Sequence, residues 1–120
     1  MHKIMSIMPI ERRGDTTPEI RYDQRGRACE VTTYCISGGS MLCSSTLALR
    51  ENNRYHERHE NPENGGWSRY VTDERLDQLK EREKADSGSI PALAILGKTR
   101  AEVESILATR NLEGKINHVN

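Results

Sequence analysis

Strand-like alternation is densest between Glu19 and Arg50. Ile20-Arg21-Tyr22 alternates apolar and polar. From Ala28 to Ile36, period two puts Cys29, Val31, Thr33 and Cys35 on one face. Ala28, Thr32, Tyr34 and Ile36 fall on the other, interrupted by Glu30. β-Branched side chains are dense here, as a pleated surface prefers. From Met41 onward, Met41, Cys43, Ser45, Leu47 and Leu49 share a face, the better candidate for the core. These patterns predict strands over 19–24, 28–36 and 41–50. A further short strand is expected over 3–9, where Met5 and Ile7 oppose Ile4 and Met8 and Pro9 falls at the end, where a missing N–H costs little.

The turns between these runs are partly specified. Asp23 suits the first position of a type I turn, and Gly26 suits the left-handed residue after it, which pairs Tyr22 with Ala28. The run Tyr22-Asp23-x-x-Gly26-Arg27 resembles one unit of the YD (RHS-type) repeat, which implies the same hairpin and no more. Ser37-Gly38-Gly39-Ser40 forms the second turn. A symmetric turn there pairs Ile36 with Met41 and Tyr34 with Cys43, sending Cys35 and Cys43 to opposite faces. A bulge that slips the register by one residue brings the two cysteines opposite each other. The sequence leaves both registers open.

Beyond Arg50 the pattern changes. Glu51 to Trp67 reads as a long polar loop, marked by Asn52-Asn53, Asn61-Pro62 and Gly65-Gly66. Thr72 is a good N-cap, with Asp73 and Glu74 in the first turn and Val71 and Leu76 placed for a hydrophobic staple. The helix it opens, 73–85, has only Leu76 and Leu79 as an apolar stripe, so it belongs on the surface. Pro91 opens a short apolar helix, 91–96, stopped by Gly97. Thr99 with Glu102 makes a capping box for a last helix, 100–110, whose buried stripe is Val103, Ile106 and Leu107. The tail, 115–120, either adds a short strand around Ile116 and Val119 or frays.

The expected fold is α+β in one domain, 1–120. It divides into a sheet region of three to four antiparallel strands (1–50), a polar loop (51–67), a helical region (68–114) and a tail (115–120). The C-terminal helices should pack on the face carrying Met41, Cys43, Leu47 and Leu49. Only 34% of residues are hydrophobic and there is no Phe, so the core must be built from Leu, Ile, Val, Met and Ala. Trp67, the lone Trp, is expected to plug the core edge, with a partner anchor as the competing role. A core this weak invites support from a partner surface or from self-association.

Charge is abundant but balanced, 18 basic against 18 acidic residues, which gives no basic stripe for a phosphate backbone. The three cysteines form no C-x-x-C and read as buried thiols of a reducing compartment. No apolar run is long enough to span a membrane, and Met1 to Met8 is too short and interrupted for a secretory signal, so the expectation is cytoplasmic.

Candidate chemistry is sparse. Arg13-Gly14-Asp15 is a chance tripeptide in a chain without a secretion signal. His56-Glu57-Arg58-His59-Glu60 lacks the spacing of zinc proteases, though His56 and His59 on one helical turn are weak metal candidates. Cys29, Cys35, Cys43, His56, His59, His118, Glu57 and Glu60 supply nucleophiles, bases and acids, but no spacing ties them into a catalytic signature. Gly38-Gly39 is no phosphate loop, and no cofactor is implied. Ala94 to Val103 resembles the core of a helix-turn-helix, with Gly97 in the turn and Thr99 as cap. It departs from that motif at Leu93 and Pro91, and Glu102 and Glu104 would repel phosphates. The reading that remains is a small non-enzymatic protein-interaction module: a regulator, inhibitor or adaptor, a form that phage and mobile-element inhibitors often take, though composition does not show that origin. Its expected anchors are Tyr55, Arg58, Trp67, Arg69 and Tyr70, because Trp, Tyr and Arg dominate binding hot spots. The alternatives are a helix-turn-helix-like nucleic-acid binder and a metal-dependent enzyme using the His56/His59 loop.

Overall fold

A computed structural model describes residues 16–37 and 41–120. The strand expected over 3–9, Arg13-Gly14-Asp15 and the centre of the second turn lie outside the described residues. In chain order the elements are β1 (Glu19–Tyr22), β2 (Ala28–Ser37), β3 (Met41–Leu49), β4 (Tyr55–Asn61), β5 (Gly65–Tyr70), α1 (Asp73–Ala85), α2 (Ala92–Ile95), α3 (Arg100–Thr109) and β6 (Asn117–Val119). The fold is α+β, with one six-stranded sheet in the order β5-β4-β3-β2-β1-β6 among the described residues. All neighbours are antiparallel except β1 and β6, so the sheet is mixed. That exceeds the three or four antiparallel strands expected. The extra strands come from the supposed polar loop and from the tail.

The first hairpin forms as its residues dictate. The Asp23 carboxylate accepts the N–H groups of Arg25 and Arg27 at 2.9 and 3.0 Å, Gly26 takes φ +81°, and Tyr22 pairs with Ala28. The second departs from the symmetric turn. Ser37 stands opposite Met41, which shifts the pairing by one residue and sets Cys35 directly opposite Cys43.

The helices cover one face of the sheet. Ile20, Tyr22, Ala28 and Val31 from the strands meet Ile95, Leu96, Val103 and Leu107, and Leu47, Leu49 and Tyr55 pack at the margin. The strand β3 is central and buried on its other side too, where the small residues Ser44, Thr46 and Ala48 lie and the Thr46 hydroxyl hydrogen-bonds that of Thr32 at 2.9 Å. Trp67 is no plug. It is 46% exposed, and the core closes around Ile20, Ile95, Leu107 and Val103 without it.

The helix α2 is a single turn. The segment after it is bound to the sheet: the Gly97 N–H donates to the Ala28 carbonyl, and the Ala28 N–H to the Lys98 carbonyl, both at 2.8 Å. Gly97 suits the position because its φ is +89°, a conformation that strains any residue with a Cβ. The residues that resemble a helix-turn-helix thus form a sheet-bound turn followed by α3, whose capping box between Thr99 and Glu102 is present as expected. No helix among the described residues is long and apolar enough to cross a membrane.

Candidate functional site: the β4–β5 ribbon

The segment expected to be a loop is a hairpin, and its turn explains why. The Asn61 side chain accepts the N–H groups of Glu63 and Asn64, Pro62 sits between them, and Gly65 takes φ +80°. Gly66 then lets the chain return closely, because a Cβ there would collide with the His59 carbonyl oxygen. The strand β4 carries few apolar residues yet pairs with β3 from Tyr55 to Glu60, so its backbone is satisfied by the sheet and its side chains are matched by charge.

The register sorts these side chains into two sets. Leu47, Glu57 and Arg69 lie in one row, and Ser45, His59 and Trp67 in the next, both on the helix-covered side. Thr46, Arg58 and Ser68, then Ala48, His56 and Tyr70, line the opposite side.

Glu57 is the centre of the first set. Its side chain is 5% exposed, and α1 supplies its counter-charge. Arg75 donates from Nε to Oε1 at 2.8 Å and from Nη2 to Oε2 at 3.1 Å, a bidentate fork. The His59 Nε2 lies 3.3 Å from Oε2, and the Arg69 Nε lies 3.6 Å from Oε1. Burial alone would raise the Glu57 pKa. The hydrogen bonds from Arg75 and His59 outweigh it and hold the carboxyl below its ordinary range. The His59 Nδ1 is 2.8 Å from the Ser45 hydroxyl. Ser45, His59 and Glu57 thus stand in the order of a hydroxyl-activating chain. In such a chain the imidazole is the base and the carboxylate only orients it; here the Glu57 carboxylate is shared with Arg75, so the same contacts also clamp β3, β4 and α1 together.

Around this clamp the aromatic residues are held but uncovered. The Trp67 ring lies against His59, 4.2 Å between centroids, and against the Arg69 guanidinium, 4.4 Å from its centroid. Tyr70 meets His56 edge-on at 5.2 Å, with the Arg54 guanidinium 4.2 Å from its ring. Each ring is fixed by a cation on one hand and an imidazole on the other. Every residue of β5 is exposed, and Trp67 and Tyr70 are the large hydrophobic side chains left in water among the described residues.

The five expected anchors therefore fall on one two-stranded ribbon but not on one face. Trp67 and Arg69 share the helix side, while Arg58 and Tyr70 take the other. Tyr55 is half-buried against the core. His56 and His59 are on opposite faces of β4, so one ion cannot take both; the expected helical spacing is overturned because the segment is a strand. Among the described residues no three metal-ligating side chains gather. The functional residues missed from sequence are Ser45 and Arg75. Arg75 sits in a first helical turn otherwise suited to acids. Its role becomes visible only once Asn61-Pro62-Glu63-Asn64-Gly65 is read as a hairpin turn, which places Glu57 in a strand facing α1.

A cleft of about 610 Å³ lies elsewhere, between the β1–β2 turn, the β3–β4 turn and Gly97, lined by Arg25, Arg27, Cys29, Glu30 and Arg50 among others. It contains no histidine. Burial, followed by the charges of Glu30 and Asp23, raises the Cys29 pKa and keeps the thiol protonated, so the cleft offers no activated nucleophile. No family model, curated protein or solved structure matches the chain.

Proposed function

We propose that this protein is a non-enzymatic interaction module, a regulator, inhibitor or adaptor, which binds a partner protein through the β4–β5 ribbon. One observation carries the reading: the outermost described strand, β5, is exposed along its whole length while presenting Trp67 and Tyr70, each held in place by an arginine and a histidine. Rings already held lose little freedom on docking, which is what makes a good anchor. The occupant that fits is an extended segment of the partner. It would add a strand along β5, covering Trp67 on one side and Tyr70 on the other. Arg69 and Arg54, stacked on the rings, favour acidic side chains in that segment.

The test uses a photo-reactive amino acid at Ser68, which lies on β5 between the two anchors. Irradiation in lysate should link one specific protein to the chain. Trp67→Ala should then weaken binding of that purified partner about thirtyfold, a hot-spot loss of about 2 kcal/mol. A specific partner whose affinity is unchanged by Trp67→Ala and by Tyr70→Ser would overturn the proposal, as would linkage to nothing above background.

A further inference from the structure

The one-residue shift in the β2–β3 register brings together two groups that the symmetric turn would have kept apart. Cys35 and Cys43 are direct cross-strand partners, their sulfurs 3.2 Å apart. Directly opposed residues of an antiparallel pair have Cα atoms about 4.5–5.5 Å apart, inside the span of about 4.4–6.8 Å that a disulfide bridges. Both are free thiols; Cys35 is exposed and Cys43 half-buried, so a small oxidant can reach the pair. Cys29 lies further along β2, against Glu30 and Asp23, with no cysteine opposite it.

We infer that Cys35 and Cys43 form a reversible dithiol–disulfide site, oxidised by a low-molecular-weight disulfide such as oxidised glutathione and opened again by the corresponding thiol.

Access orders the steps. The two sulfurs are in hydrogen-bond contact, and whichever is ionised accepts the hydrogen of the other. Cys35 is the exposed member and is the one a dissolved disulfide reaches first. Its thiolate displaces one glutathione thiolate and forms a mixed disulfide. Cys43 then gives up its proton and attacks the Cys35 sulfur, and the second glutathione thiolate leaves as the Cys35–Cys43 bond forms. The protein loses two electrons and two protons, and the oxidant's sulfur–sulfur bond becomes two thiols. The bond closes on the same side of the sheet as Ser45 and His59, at the next inward-facing positions along β2 and β3, and fixes the strand register there.

The experiment equilibrates the full chain with glutathione buffers of increasing oxidised fraction, quenches with acid, and alkylates the denatured protein with N-ethylmaleimide before mass spectrometry. Reduced protein should take three alkyl groups. Oxidised protein should take one, mapped by fragmentation to Cys29, with two protons lost and glutathionylation of Cys29 at least tenfold less than closure. Cys29→Ser should close as the wild type does. Cys35→Ser and Cys43→Ser should each stop at a glutathione adduct or stay reduced. Retention of three reactive thiols at every ratio would overturn the inference. A stable adduct in the wild type, or a disulfide that uses Cys29 or a second chain, would overturn it equally.

Discussion

A buried carboxylate is costly unless it is fully partnered, and Glu57 is partnered from two elements at once. Removing either end of its fork should therefore have unequal effects. Arg75→Met strands a carboxylate that is 5% exposed, and should lower stability by about 3 kcal/mol. Glu57→Gln strands a guanidinium whose side chain is 19% exposed and reaches water, and should cost about 2 kcal/mol. Urea unfolding of the two variants would order them. A second, half-buried polar contact lies at the far edge, where the Tyr22 hydroxyl meets His118 Nδ1 at 2.8 Å. Burial, then the Arg100 charge, depresses the His118 pKa, against the smaller opposing effect of Glu104. Below its ordinary value of 6.5 the unfolded imidazole binds a proton that the folded one refuses, so stability falls as pH drops through that window. Glu57 adds a later loss. Its folded pKa is lowered, so its contribution is complete above about 4.5 and disappears as pH falls below that. Unfolding midpoints followed from pH 7.5 to 3.5 should show both losses, and His118→Gln should shrink the first, leaving the part due to His56, whose pKa burial and then Arg50 and Arg58 also depress.

At the scale of elements, the helices differ in what holds them. The helix α3 buries Val103 and Leu107 almost completely and begins with a capping box. The helix α1 has no fully buried residue. It is held by the Thr72 cap, the half-buried Leu76 and Leu79, the Arg75 fork, and Glu83, whose carboxylate accepts the Leu93 N–H at 2.9 Å. It should open locally without global unfolding, so its amides should exchange with deuterium well before those of α3. Arg75→Met should speed exchange in α1 and leave α3 in its wild-type order. The capping signals of both helices, Thr72 and Thr99, were legible in the sequence because a cap is decided within four residues. The pairing of α1 with β4 was not, because Glu57 and Arg75 meet only after the chain has reversed twice.

Over the whole molecule, apolar surface is concentrated under α2 and α3, and the β4–β5 end is held by backbone pairing and the Glu57–Arg75 ion pair. The two regions should respond separately. Trp67→Ala with Tyr70→Ser removes the exposed anchors and should leave the unfolding midpoint within a few degrees of the wild type, because exposed substitutions usually shift stability by less than about 0.5 kcal/mol each. Loss of folding in that variant would move Trp67 back into the core. The same division explains why the ribbon was read as a loop. A strand announces itself through alternating apolar residues only when one face meets an apolar core. On the inward face of β4, Tyr55 packs against the core, but beyond it that face meets a guanidinium and carries Glu57 and His59.

By itself the sequence determined the local features: the Asp23–Gly26 turn, the three strand runs from Glu19 to Leu49, both helix caps and the Val103–Leu107 stripe. Each depends on residues close along the chain, where backbone sterics and short hydrogen bonds decide. The tertiary structure alone decided three things. It set the register that faces Cys35 with Cys43, since two glycines permit turns of more than one length. It set the parallel docking of β6 on β1, which joins segments far apart in the chain. And it left Trp67 outside, because Ile20, Ile95, Val103 and Leu107 already fill the space between sheet and helices. Packing volume and pairing across distant segments are properties of the folded chain, and no stretch of residues carries them alone.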